Sequence, residues 1–182
     1  MTATRDLSGP VYTIGHSTRT IPELVALLGE SGIEVVADVR AIPRSRTNPQ
    51  FNLDVLPVSL EEFGIRYQHF PELGGRRHHP RGAPPSPNTF WRNDSFRTYA
   101  DYAATDAFAA GFSKLRELAA DERCAIMCSE AVWWRCHRRI ISDYLLARGT
   151  AVMHIMAPGK IEPATLTPNA HPLSNGSLVY RA

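Results

Sequence analysis

The sequence predicts an α/β fold: an open, mainly parallel β-sheet of about five to six strands flanked by helices, three-layered and Rossmann-like. Two observations predict it. Short apolar, β-branched runs alternate with segments of helical periodicity, the pattern of repeated βαβ units. The units are also too few to close a barrel, so the sheet is expected to stay open.

Each element follows in order. VYTIGHS (11–17) is a short buried strand that stops at Gly15. Thr20-Ile-Pro-Glu23 is a capping box, with Pro22 tolerated in the first helical turn. Ile21, Leu24, Val25 and Leu28 then make one apolar helix face, and Gly32 ends it. IEVVADVR (33–40) is the second strand. A helix over Leu53–Phe63 is disturbed by Pro57 and expected to restart at the Ser59-x-x-Glu62 box. IRYQHF (65–70) is the third strand. PELGGRRHHPRGAPPSPN (71–88) holds too much Pro and Gly for regular structure, and loops of that length are usually functional or disordered.

Residues 94–119 read as two helical pieces, Thr105 capping the second, whose stripe is Phe108, Phe112 and Leu115. CAIMCS (124–129) is strand four, followed by a helix over 135–148 closed by Gly149. AVMHIM (151–156) is strand five, and SLVY (177–180) is an extended piece in the proline-rich tail, residues 157–182. The length of 182 residues fits one domain. No internal repeat or second domain is evident.

Composition bounds the function. A net charge of +2 is too small for bulk affinity to nucleic acid or membrane, so anion binding must rest on local clusters. The polar start MTATRDLSGP has no apolar core, and no apolar stretch approaches a membrane span. Three cysteines, Cys124, Cys128 and Cys136, then read as reduced thiols of a cytoplasmic protein. They form no CxxC pair and no repeated ligand spacing, which argues against structural zinc.

Lining up the strand ends brings unusual polar residues to one edge. The first strand ends in Gly15-His16-Ser17, the second in Asp38-x-Arg40, the third near Glu72-Leu73-Gly74-Gly75, the fourth in Cys128-Ser129-Glu130. In a parallel sheet these ends share the edge where open α/β proteins place ligands. Asp38 in an apolar strand requires a cationic partner, and Arg40, Arg44 and Arg46 are candidates. Cys128 is either a buried thiol or a nucleophile. A phosphatase loop needs Arg six places after the Cys; Trp134 stands there and Arg135 one later, which speaks against it. Cys136 falls on the stripe of Ile140 and Tyr144 and is assigned to packing; His137 lies beside that stripe.

Arg135, Arg138 and Arg139 crowd a helix start, where cations oppose the dipole. Arg139 precedes Asp143 by four residues and can pair with it; Arg138 has no such acid and is the preferred ligand-facing cation. A bound anion would relieve the conflict, and so, in part or in whole, would Glu130. Arg44, Arg46 and the loop cations Arg76, Arg77, His78, His79 and Arg81, with Trp91, Trp133 and Trp134 as flat surfaces, suit a nucleotide or single strand as well as a solvated loop.

With these residues assembled, the chain resembles the bacterial and archaeal domain-of-unknown-function 488 proteins. YTIGHSTRTIPELVALL, ADVRAIPRSRTNPQFN, YQHFPELGG and CSEAVWWRCHRRIISDYLLARG carry the resemblance in family order, over about residues 11–156. It implies an α/β fold and polar family positions at His16, Ser17, Asp38, Arg40, Pro43, Ser45, Gly74, Gly75, Cys128, Glu130, Cys136, His137 and Arg138. It implies no reaction, substrate or cofactor. The turn AVWWR (131–135) departs from the acidic and proline residues of many relatives.

The expectation is an enzyme, a hydrolase or transferase, acting on an anionic, phosphate-bearing ligand or nucleotide at the carboxyl edge. Arg40 and Arg138, with Ser17, Ser45, Gly74 and Gly75, would bind the anion. Asp38 and Glu130 would be acid and base, His16 and His137 proton carriers, and Cys128 a nucleophile. Two alternatives stay open: a nucleic-acid-binding module on Arg76–Arg81, and a metal-dependent hydrolase ligated by His16, Asp38, Glu130 and His137. The sequence names neither cofactor nor oligomeric state.

Overall fold

Alternating apolar runs form eight strands and five helices in the computed structural model, which describes Leu7 and residues 9–182. Residues 1–6 and 8, most of the polar N-terminal segment read above, lie outside the described residues. The strands are β1 (Val11–Gly15), β2 (Val35–Asp38), β3 (Arg66–His69), β4 (Cys124–Cys128), β5 (Val152–Ala157), β6 (Lys160–Pro163), β7 (Ala170–Pro172) and β8 (Leu178–Tyr180). The helices are α1 (Ile21–Glu30), α2 (Leu56–Glu61), α3 (Asp94–Ala103), α4 (Asp106–Asp121) and α5 (Arg138–Leu146).

The main sheet has the order β3-β2-β4-β1-β5-β6, with β6 its one antiparallel strand. Connections from β1 to β2 and from β2 to β3 run toward one edge. Those from β3 to β4 and from β4 to β5 run back toward the other. Crossovers of one hand therefore deposit α1 and α2 on one face and α3, α4 and α5 on the opposite face. The two cores follow: Ile14, Leu24, Leu28, Val36, Leu56, Leu60 and Met127 on the first, Val35, Ile126, Tyr99, Phe108, Phe112, Ile140 and Tyr144 on the second. The three-layer α/β expectation is met.

Local chemistry sets the element ends. Thr20 and Glu23 make the reciprocal capping box on α1, and Gly32 ends the segment at φ 62°. Thr105 caps α4 through the Phe108 amide. The helix expected over 53–63 shortens to α2, because Pro57 sits harmlessly in its first turn and Ser59 Oγ donates back to the Val55 carbonyl instead of starting a new helix. The helix expected from 135 begins at Arg138, because Trp133–Arg135 form a separate 3-10 turn and Cys136 is extended. Residues 157–182 are no loose tail: β6 covers the sheet edge, and the β7–β8 hairpin buries Leu178 and Tyr180 against the second core. Among the described residues no helix is long and apolar enough to cross a membrane.

Candidate functional site at the carboxyl edge

β1 and β4 are neighbours whose onward connections leave in opposite directions, so their carboxyl ends mark the topological switch point. The β1 extension stays zipped to the β4 extension: the His16 amide donates to the Cys128 carbonyl and the Ser17 amide to the Ser129 carbonyl. Gly15 is obligatory there, since a Cβ on it would meet the Glu130 carbonyl oxygen at 1.8 Å. Beyond this edge opens a cavity of about 640 Å³. Its lining includes His16, Ser17, Arg40, Ser45, Gly75, Cys128, Glu130 and His137 from the expected set. It also includes Arg44, Arg76, Tyr99, Arg135 and Cys136, which were not on it.

On the α1/α2 side, Asp38 and Arg40 form a fork, its carboxylate fully buried and its guanidinium at the cavity wall. Arg40 Nε donates to Asp38 Oδ1 at 2.9 Å and Nη2 to Oδ2 at 2.6 Å, while the Arg40 amide reaches Oδ1 at 3.0 Å. Tyr67 donates its hydroxyl to the same carboxylate. Arg40, not Arg44 or Arg46, is thus the partner Asp38 required, and the carboxylate has no oxygen left for acid–base work. The second Arg40 hydrogen-bond arm is spent on the Phe51 carbonyl, 2.7 Å, and its Nη1 faces His16 Nε2 at 3.3 Å.

His16 is set by its surroundings. Its Nδ1 lies 2.8 Å from the Ser17 carbonyl, which can only accept, so Nδ1 bears the proton and Nε2 takes the Arg40 hydrogen bond. The ring stacks on Phe51 with centroids 4.1 Å apart. Burial, aided by the Arg40 charge, outweighs the Ser17 carbonyl and drops its pKa from 6.5 to about 4. His16 therefore stays neutral and positions Arg40.

On the opposite side, the pleat points Cys128 at α5, and the break before α5 brings Cys136 and His137 to meet it. His137 Nε2 donates to the Val39 carbonyl at 2.8 Å, which turns Nδ1 toward both thiols. Nδ1 is 3.6 Å from Cys136 Sγ and 3.9 Å from Cys128 Sγ. Gly75 lies flat against this ring; a Cβ there would stand 2.5 Å from Nδ1. Gly74 likewise admits the Ala41 backbone, at 2.6 Å from a hypothetical Cβ. Both glycines serve close approach.

Arg138 does not face the cavity. It is 1% exposed, and its Nε and amide donate to Cys136 Sγ at 3.3 and 3.4 Å, its Nη2 to the Glu130 carbonyl at 2.6 Å. The expected ligand-facing cation is a buried partner of sulfur, and Arg135 lines the cavity in its place. The two thiols diverge accordingly. Burial works to raise Cys136, but the hydrogen bond from Cys128 and the Arg138 guanidinium prevail and bring it down to about 6. Cys128, hydrogen-bonded to that sulfur and buried, is pushed up to about 12. The two thiols influence each other, and negative charge is favoured on Cys136 over Cys128. The sequence reading assigned Cys136 to packing; the signal it passed over was an arginine two places on with no acid to pair with.

The family comparison now bears on these residues. A profile described as "Domain of unknown function DUF488" matches residues 20–145, well over half of the chain. The chain belongs to the DUF488 family. No curated protein and no solved structure matches it. The DUF488 span takes in Asp38, Arg40, Gly74, Gly75, Cys128, Cys136, His137 and Arg138, and stops short of His16 and Ser17.

Two alternative sets are not assembled. Asp38 is locked in its fork and His137 turns toward sulfur, so His16, Asp38, Glu130 and His137 do not converge as ligands. Among the described residues the metal-competent group is Cys128, Cys136 and His137. Two of the three tryptophans are packed against neighbouring rings rather than presented as stacking surfaces. Trp91 is 5% exposed among Phe90, Phe96 and Tyr180, and Trp133 stacks on His154, centroids 4.5 Å apart; Trp134 alone is 44% exposed. Arg139 reaches Thr167 and lies over Trp91, while Asp143 accepts from the Thr167 amide and Tyr180 hydroxyl, so the expected Arg139–Asp143 pair is replaced by these contacts.

Proposed function

We propose that this DUF488 protein is an enzyme, a hydrolase or transferase, that binds an anionic, phosphate-bearing substrate in the carboxyl-edge cavity. One observation carries the reading: Arg44, Arg76 and Arg135 line the cavity beside the Asp38-paired Arg40, and among the described residues Glu130 is its one lining carboxylate. Such a wall concentrates anions and offers planar forks to phosphate oxygens. Its place at the switch point agrees with where open α/β proteins hold ligands.

Roles follow from what each side chain has left to give. Arg44, Arg76 and Arg135 are exposed and free to close on an anion. Arg40 is fixed by Asp38, Phe51 and His16 and keeps one Nη1 hydrogen for an anion, already ordered. Glu130, exposed at the rim, is the carboxylate placed to move a proton at the substrate. Ser17 and Ser45 line the same wall and can donate to the anion.

The test is calorimetric titration with inorganic pyrophosphate and with nucleoside mono- and diphosphates at two salt concentrations. Binding that weakens with salt is expected, and the Arg44→Gln/Arg76→Gln/Arg135→Gln variant should lose at least about tenfold, given about 1.5–3 kcal/mol for each hydrogen bond to a charged group. On a phosphoester panel, Glu130→Gln should bind as wild type and turn over far more slowly. No binding by wild-type protein, or equal binding by the triple variant, refutes the proposal.

A further inference from the structure

We propose that Cys128, Cys136 and His137 form a three-ligand site for a zinc-like divalent cation, with its fourth position open to the cavity. The donor atoms Sγ, Sγ and Nδ1 lie within 4.8 Å of one another. A tetrahedral ion with bonds of about 2.3 Å to sulfur and about 2.0–2.1 Å to nitrogen holds those ligands about 3.6 Å apart. The observed separations from Nδ1 are 3.6 Å to Cys136 and 3.9 Å to Cys128. The two nitrogen–sulfur sides match that spacing to within a few tenths of an ångström, and the sulfur–sulfur side is at most 4.8 Å.

The surroundings are built for the same end. The Val39 carbonyl takes the Nε2 proton, fixing the tautomer and aiming Nδ1 inward, as outer hydrogen bonds do for metal-bound histidines. The Arg138 amide and Nε both point at Cys136 Sγ, suiting it to be a thiolate ligand. Gly75 leaves room for the ring where any side chain would displace it. Two sulfurs and one imidazole favour zinc-like ions over magnesium or calcium, which need oxygen. All three ligands also line the cavity, so water or an oxygen of a bound anion can complete the tetrahedron. Three protein ligands with one open position are the arrangement of reactive rather than purely structural zinc.

The site is independent of the anion-binding reading and is tested apart from it. Reduced, untagged, full-length protein stripped by chelator is titrated with Co²⁺ under inert gas. The expected result is a single equivalent giving thiolate-to-cobalt charge-transfer absorption and the intense d–d bands of a four-coordinate ion, both erased by Zn²⁺. Cys128→Ser and His137→Ala should each lose these bands and weaken zinc binding more than about 100-fold, beyond what loss of an outer hydrogen bond costs. Should either variant fail to fold, wild-type protein decides. A six-coordinate cobalt spectrum with both thiols still open to alkylation overturns the site, as does a four-coordinate spectrum retained in the folded variants. The Arg44→Gln/Arg76→Gln/Arg135→Gln variant should keep the bands, whatever its affinity for pyrophosphate.

Discussion

Replacing Gly75 by alanine tests the geometry of the cysteine–histidine cluster at a position that supplies none of its donor atoms. The new Cβ would stand 2.5 Å from His137 Nδ1, 2.8 Å from Cγ and 2.9 Å from Cε1. Ordinary contacts between such atoms are about 3.5 Å, so ring or backbone must yield by about 1 Å. The ring is hemmed in on its other sides by the Val39 hydrogen bond at 2.8 Å and an edge-on contact with Tyr99, centroids 5.0 Å apart. Yielding therefore sacrifices that hydrogen bond or overpacks the core, a loss of about 1–3 kcal/mol. Metal geometry is less forgiving, since a ligand displaced by about 1 Å lies far outside the roughly 0.2 Å that coordination tolerates. Gly75→Ala should thus unfold at lower urea and fail to develop the four-coordinate cobalt bands. Gly29→Ala, on open helix surface with nothing within 4 Å of its Cβ, is the control and should keep both. A Gly75→Ala protein with wild-type stability and wild-type cobalt spectrum would refute the claim that this glycine makes room for the ring.

Three further outcomes are expected. Arg40→Met strands the buried Asp38 carboxylate and should destabilise by about 3–5 kcal/mol in urea unfolding; Asp38→Asn/Arg40→Met should recover much of it, and an unaltered midpoint in the single variant contradicts the fork. His16 and His154 both fall from 6.5 to about 4, chiefly through burial, so the unfolded chain binds their protons between those values and the folded one does not. Stability is then full above pH 6.5 and declines as pH drops toward 4, by about 1.4 kcal/mol per pH unit for each group; His154→Gln should flatten that slope, and an identical slope would count against it. In metal-free protein, alkylation followed by peptide mass spectrometry should label Cys136 first with a midpoint near pH 6, since Cys124 and Cys128 are both pushed up to about 12; labelling led by Cys128 would reverse the assignment.

What the sequence made legible was whatever short-range chemistry decides. Thr20–Glu23 and Thr105 announce helix starts because a cap needs only three or four neighbouring residues. The strand ends were readable because period and punctuation coincide at Gly15, Asp38 and Cys128. Asp38–Arg40 was within reach for the same reason, a buried acid two places from an arginine. The side chains' final directions were not. Periodicity ran the fifth helix back to 135 and put Cys136 on its packing stripe. Cys136 is buried with Ile140 and Tyr144, but the 3-10 turn over Trp133–Arg135 delays the helix to Arg138 and turns the sulfur toward Cys128 and His137 as well. The insertion of β4 between β2 and β1, which lifts Cys128 to the switch point beside His16, is a long-range pairing with no local signature. β6 escaped for a related reason, since an edge strand with Lys160 and Pro163 looks like a turn.

The arginines at the start of α5 look misplaced only while they are counted as one group. Each leaves the helix terminus in a different direction. Arg139 lies over Trp91 and bonds Thr167. Arg135 precedes the helix and turns to the cavity. Arg138 goes inward, where a buried guanidinium would be costly without an anion. Its contacts are a carbonyl oxygen and Cys136 Sγ, and of the two only the sulfur can become anionic. That sulfur also accepts the Arg138 amide, so it caps the helix as a carboxylate would at a conventional start. The group able to supply the negative charge that the dipole calls for is therefore inside the fold already, the thiol of Cys136. A substrate is not needed to settle α5. What an anion in the cavity would answer is the separate wall of Arg40, Arg44, Arg76 and Arg135, and this is why removing the outer arginines should leave the thiol–imidazole cluster untouched.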